Sequence, residues 1–247
     1  MSKKTGAPTR REMAHQSTRD EIMDTARRHM ADVGAAALSL REIARQMKLT
    51  APALYRYFPS RDDLVTELIL TAFNSLADTL EAARDAINAD DHAGRLIAAC
   101  LTYRKWALAH PQDYALIFGT PIPGYHAPEE TTNPAAKRNM DVFIGMIDAA
   151  KHTGKLDPAP MYIKPPRVLQ NQLSAWKKNF GYTESTFALH LSLIGWSRLH
   201  GLVSLELFDQ IEPIVANPED LYRLEVLGLL QQVGLDANEL AMKILKV

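Results

Sequence analysis

Tyr55 and Arg56 stand side by side in the stretch LTAPALYRYFPSRDDL, Leu49 to Leu64, with Tyr57 and Phe58 directly behind them and Arg61 a little further on. A phenol hydroxyl and a guanidinium so placed can bond phosphate oxygens or the edge of a guanine. Arg61 sits at the start of a helical pattern, where free backbone amides add to its charge as a phosphate contact. The residues ahead of the pair, Thr50, Ala51, Pro52 and Ala53, are small, so their backbone can approach a partner closely. Leu54, Tyr57 and Phe58 fall at i, i+3 and i+4, the inward side of a helix that Pro59 ends. Core packing accounts for Tyr57 better than surface contact does; Tyr55 falls on the outer side with Arg56.

Other chemistries find little support. His190 and His200 are ten residues apart, which on one straight helix separates them by about 15 Å, too far to share an ion. Neither an HExxH motif nor a pair of cysteines is present. His190 or His200 with Glu206 or Asp113 would be the only acid–base set to consider, and no nucleophile motif, phosphate-binding glycine loop or carboxylate pair accompanies them. Neither catalysis, a metal nor a cofactor is therefore expected. The one cysteine, Cys100, lies in the apolar run LIAACL and reads as a buried thiol in a reducing compartment. No apolar run approaches the roughly 18 residues of a membrane span, and MSKKTGAPTRREM has no apolar segment behind its charges. A cytoplasmic protein without a membrane partner is expected.

The elements that must position these residues are all helical. The 47 % hydrophobic and 23 % charged composition of the 247 residues suits one large domain or two smaller ones. Residues 1–16 mix Lys, Arg, Gly and Pro and read as a flexible basic arm. TRDE, with Thr18 capping and Glu21 returning, opens a helix with Ile22, Ala26, Met30 and Val33 on one face and Gly34 as its stop. SLRE repeats the device at Ser39 and Glu42 for a short helix burying Leu40, Ile43, Ala44 and Met47. Thr50 caps the third helix; Ser60 caps a long one, with Asp62 and Asp63 in its first turn, running to about Asn88. Further helices are expected near 92–109, 111–118, 134–153, 166–180, 184–209 and 218–233, with Gly119 to Pro134 irregular. The fold class is all-α: a three-helix head over 17–64, joined by the long helix to a helical body over 65–247.

Two short helices joined by Met47, Lys48 and Leu49 form the pattern of a helix-turn-helix, whose second helix enters the major groove of duplex DNA. Charge agrees, since residues 1–62 hold 12 Lys or Arg against 7 Asp or Glu, a net +5, whereas the remainder is −6. The run LSLREIARQMKLTAPALYRYFPSRDDLVTELI resembles the DNA-binding head of the TetR family of bacterial transcriptional regulators, with the similarity spanning about residues 18–70. The resemblance implies that Ser39, Arg41, Thr50, Ala51, Ala53, Tyr55, Arg56, Tyr57 and Arg61 lie at or near DNA, and that Lys3, Lys4, Arg10 and Arg11 reach adjacent backbone or minor groove. Two positions depart from the family pattern. Lys48 replaces a common glycine of the turn, which in a left-handed backbone costs on the order of 1 kcal/mol, with its charge near DNA as compensation. Tyr57 replaces a common histidine.

A reader of this type works as a pair, with heads about 34–36 Å apart. FALHLSLIGWSRLHGLVSLELF, Phe187 to Phe208, is apolar nearly all round, and with LYRLEVLGLLQQVGL it is the expected homodimer surface. Leu193, Trp196, His200, Val203 and Leu207 of the first, with Leu224, Leu227 and Leu230 of the second, would carry it; completion of one chain's own core is the alternative. WSRLHG and LIFGTPIPGY resemble a Trp-His-Gly subgroup of the family. The family also implies a small-molecule effector site in the body, expected to be largely apolar. Its candidates are Tyr103, Trp106, Phe118 and Met140, then Phe143 and Trp176, with Asn171, His190 or His200 as polar anchors and the Gly119 to Pro134 loop as its mouth. The expected partners are thus operator DNA, a second copy and an unknown small molecule. The function expected is a homodimeric repressor released by that ligand; an activator of the same fold, a helical-bundle enzyme or an adaptor that no longer binds DNA are the alternatives.

Overall fold

The structure, a computed structural model, describes residues 9–212 and 214–235, in which all regular structure is helical. The roles expected of Lys3 and Lys4 lie outside the described residues. The chain divides into two compact units, Met1–Ala72 with Gln112–Thr132, and Phe73–Pro111 with Asn133–Val247. The division falls inside the long helix rather than at residue 64, and a later stretch of chain joins the head. Arg27 pairs with Asp113 at 2.9 Å, and Thr66 and Tyr125 share a hydroxyl hydrogen bond of 2.9 Å, which tie that stretch to the first unit.

In the first unit α1 spans Arg10–Val33. Its cap is Thr9, whose hydroxyl accepts from the Glu12 amide while the Glu12 carboxylate accepts from the Thr9 amide. The box expected at Thr18 is therefore corrected: Thr18 lies mid-helix with its hydroxyl on the Ala14 carbonyl, and Arg10–Gln16 are helical rather than part of an arm. Arg, Glu, Met, Ala and Gln propagate a helix readily once it is nucleated, even where they supply no apolar stripe. Ile22, Ala26 and Met30 are buried as expected; Val33, in the last turn, is exposed. Gly34, at φ 78°, stops the helix, and a 3-10 turn, Ala35–Ala37, follows.

α2 spans Leu40–Gln46 and α3 Ala51–Tyr55, with α4 covering Arg61–Asp85. The Ser39 hydroxyl accepts from the Glu42 amide, but the Glu42 carboxylate turns forward to Arg45 and Gln46 instead of back to the cap. The Thr50 hydroxyl accepts from the Ala53 amide and the Ser60 hydroxyl from the Asp63 amide, so these two caps match the sequence. Leu40, Ile43, Ala44, Leu54 and Phe58 close the core of this unit with Leu64, Val65 and Leu68 of α4, while Met47 is half-buried. Truncating a wholly buried leucine such as Leu54 to alanine removes about 2–5 kcal/mol.

α5 spans His92–Ala109 and α6 Pro111–Phe118, as the periodicity indicates. α7 runs Glu129–His152 and so takes in six residues of the stretch expected to be irregular, Pro134 included. The Pro128 carbonyl accepts from the amides and hydroxyls of both Thr131 and Thr132, which forms a turn before the proline is reached. α8 is the short Pro160–Ile163, followed by α9 (Arg167–Asn179), α10 (Thr186–Leu207) and α11 (Pro218–Gln232). Three polar links hold the second unit in register. The Ser185 hydroxyl, which caps α10, donates to Asp148 of α7 at 2.7 Å. Arg104 of α5 pairs with Glu206 of α10 at 2.5 Å, both side chains largely buried. The Tyr222 hydroxyl of α11 donates to the Cys100 carbonyl at 2.7 Å.

Candidate nucleic-acid interface and the cavity of the second unit

The exposed surface of the helix-turn-helix is built from the turn outward. Met47 ends α2, and Lys48 stands at φ 56°, the left-handed conformation that usually favours glycine. Its side chain points to solvent. α3 is only five residues long, and the turn continues through the Tyr57 and Phe58 amides, both bonded to the Leu54 carbonyl. Leu54 and Phe58 are buried, Tyr57 is half-buried against the ring of His15 at 4.6 Å, and Tyr55 is 42 % exposed. The small residues leave the outer side of α3 low, with Thr50 and Pro52 exposed and Ala51 and Ala53 partly so.

Pairing separates the basic residues into two groups. Arg45 is held by Glu42, whose carboxyl that contact lowers to about 2. Arg19, which the sequence reading missed, contacts Glu67 at 2.9 Å and the Tyr57 carbonyl at 3.2 Å and lies over the Phe58 ring at 4.4 Å. No periodicity signal marks it, because its partners are 38 residues and more along the chain. Arg61 does not reach outward as expected: its guanidinium donates to the carbonyls of Ala35 and Ala36, at 3.3 and 3.0 Å. The exposed side chains of Arg41, Lys48 and Arg56, by contrast, make no hydrogen bond or ion pair among the described residues. Ser39 is occupied as a cap. Arg10 and Arg11 are exposed on the first turn of α1.

The second unit contains a cavity of about 60 Å³ between α5, α7, α10 and α11. Leu96, Tyr103, Phe143, Ile147, Ser192 and Trp196 stand on its wall. Of the residues expected to hold a ligand, only Tyr103 and Phe143 are there, and the Tyr103 hydroxyl meets Nδ1 of His200 at 2.8 Å. Trp106 is buried elsewhere, donating to the Ser75 hydroxyl at 3.1 Å and stacked on His110. Trp176 packs on Phe180 and Tyr182, Asn171 is exposed and Met140 half-buried. Phe118 belongs to the first unit, edge-on to Tyr114, and the residues 119–134 contribute nothing to the wall. His190 is buried, with Nδ1 unpartnered among the described residues. Burial lowers the pKa of both His190 and His200.

Three residues expected at a subunit interface lie inside this chain: Val203, Leu227 and Leu230 are buried, because α10 and α11 pack on each other and consume those faces. Trp196, stacked on His200, faces the cavity. Leu193 and Leu207 are half-buried, while Leu224, Leu205 and Phe208 are exposed at 58, 39 and 48 %.

A short helix capped by a threonine, with Arg41, Lys48 and Arg56 unpaired around it among the described residues, follows the turn after α2 in the arrangement of a helix-turn-helix. The family described as bacterial regulatory proteins, tetR family, matches residues 22–68, and the tetracyclin repressor-like C-terminal domain matches residues 96–229. The chain belongs to the TetR family of DNA-binding transcriptional regulators. An HTH-type transcriptional regulator of Mycobacterium tuberculosis is 35 % identical over 205 residues, 81 % of this chain and 85 % of that one, and one of Mycobacterium bovis is equally similar. The crystal structure of the regulatory protein SCO4313 has 36 % identity and a TM-score of 0.75, covering 91 % of this chain and all of that one. A protein of unknown function from Rhodococcus sp. RHA1, 18 % identical with a TM-score of 0.67 over 94 % of this chain and 100 % of its own, shares the fold. No described helix is long and apolar enough to cross a membrane.

Proposed function

We propose that the protein is a homodimeric repressor, whose two α3 helices enter successive major grooves of an operator and whose second unit binds a small, largely apolar effector that releases it. Thr50, Ala51 and Ala53 lie against the base edges, and Tyr55, Arg56, Arg41 and Lys48 bond phosphates or a guanine around them. The observation that carries this reading is the grouping of Arg41, Lys48 and Arg56, exposed and unpaired among the described residues, around a helix whose leading residues are small. Cations left without partners are what a polyanion requires. Arg61 and Ser39, engaged within the head, support its shape. The second copy lies over the exposed apolar residues of α10 and α11, Leu224, Leu205 and Phe208. Effector in the second unit tilts α4 and alters the spacing of the heads, so DNA and effector weaken each other reciprocally.

Retardation of the DNA flanking its own gene tests this, with wild-type protein and the Tyr55→Ala/Arg56→Ala double variant. The double variant is expected to lose about tenfold or more in operator affinity at moderate salt while remaining dimeric. Unchanged affinity would remove α3 from the interface.

A further inference from the structure

The cavity between α5, α7, α10 and α11 carries chemical information beyond its size. Among the described residues, no Lys, Arg, Asp or Glu stands on its wall. Cys100, also on the wall, holds a neutral thiol, its pKa pushed up to about 12 by burial. The Tyr103 hydroxyl on the wall is engaged by His200, whereas the hydroxyl of Ser192 of α10, 4 % exposed, has no hydrogen-bond partner among the described residues. A serine inside a helix commonly returns its hydroxyl to the carbonyl four residues back, here Ala188; Ser192 does not. A buried hydroxyl left unpaired is destabilising, and a bound molecule able to pair with it recovers that loss. An ionised group would instead be desolvated with no opposite charge beside it. The free volume, about 60 Å³, is under half of the roughly 150 Å³ of a cavity that admits benzene, which suits an occupant of about three or four heavy atoms.

We infer that this cavity takes an uncharged, mainly apolar molecule bearing one hydroxyl or carbonyl group, which the Ser192 hydroxyl receives. Ser192 then sets specificity by pairing, and the hydrocarbon wall excludes carboxylates and amines. The inference rests on reading the second unit as the effector-binding part of the protein.

The test uses the full chain free of DNA, with 1-propanol, acetone, chloroethane and acetate as probes at pH 7.5, followed by tryptophan emission, since Trp196 is on the wall. The alcohol and the ketone are expected to bind, acetate at least tenfold more weakly. Ser192→Ala should weaken 1-propanol and acetone by about 3- to 10-fold and leave chloroethane unchanged. Gly195→Leu provides a second variant: among the described residues a Cβ there meets only Leu229, at 3.9 Å, so the longer side chain fills the cavity and should abolish binding of every probe. Equal or tighter binding of acetate, an alcohol affinity indifferent to Ser192, wild-type affinity in Gly195→Leu, or no binding to the wild-type chain would each overturn the inference. A retardation assay with and without 1-propanol separates it from the repressor reading. Ser192-dependent binding that leaves the DNA complex intact would sink effector release and keep the ligand class.

Discussion

Arg56 and Arg61 are five positions apart and of one type, yet the fold places them differently. Arg56 is exposed with no partner among the described residues, whereas Arg61 closes the Ala35–Ala37 turn onto the start of α4. Arg61→Ala should therefore lower stability by about 1–2 kcal/mol, read from urea unfolding, and leave the salt dependence of operator binding unaltered. Arg56→Ala should do the reverse, reducing the slope of log affinity against log salt by about 1 with no change in unfolding. Lys48→Gly separates two effects at one site. Relief of the left-handed backbone should stabilise the head by about 0.5–1 kcal/mol, and loss of the charge should weaken DNA binding at low salt. The pattern of residue types made Tyr55 and Arg56 legible as outward-facing, since Leu54 and Phe58 anchor the opposite face. It pointed Arg61 outward to phosphate, whereas its guanidinium bonds carbonyls 25 and 26 residues away that no local pattern marks.

At the scale of elements, caps carried most of the legibility. Thr50 and Ser60 perform as read because their hydrogen bonds close within three residues and depend on nothing distant. Thr9 and Thr18 show where this fails. Both precede a glutamate by three positions, and only the helix propagating back through Arg10–Gln16 selects the first. Thr9→Ala should cost about 1 kcal/mol of helix stability, seen as faster amide exchange over residues 10–16 with the rest of α1 unaffected. The short α8 escaped because four residues hold too little periodicity to register, and its preceding residue is held by a backbone bond from the Ala159 amide to the Gln232 carbonyl. α4 presents the opposite case, an unbroken helix that serves two units with no sequence punctuation at Ala72.

At the scale of the molecule, burial of histidines in the second unit makes stability depend on pH. His92, His190 and His200 all have lowered pKa values, with burial the first cause in each. The unfolded chain, titrating near the ordinary value of about 6.5, binds protons more readily than the folded one, so stability is complete above that value and falls as pH drops below it. Thermal unfolding should shift to lower temperature between pH 7 and pH 5.5, and His190→Gln should flatten the dependence. Association is tested on α11. Leu224→Glu, at an exposed position, should give a monomer by light scattering with helix content preserved, whereas Leu227→Glu, within the core, should unfold the second unit.

The sequence by itself determined the all-helical class, the helix-turn-helix with its capped short reader and the family, because capping, periodicity and helix punctuation are set by neighbours within a few residues. Tertiary structure alone decided which arginines are spent inside the head, that Gln112–Thr132 joins it, and that Ser192 rather than His190 or Asn171 stands on the cavity wall. It also decided which leucines of α10 and α11 remain outside. Each of these depends on contacts between residues tens of positions apart, and an apolar stripe records that a face is covered without recording by what.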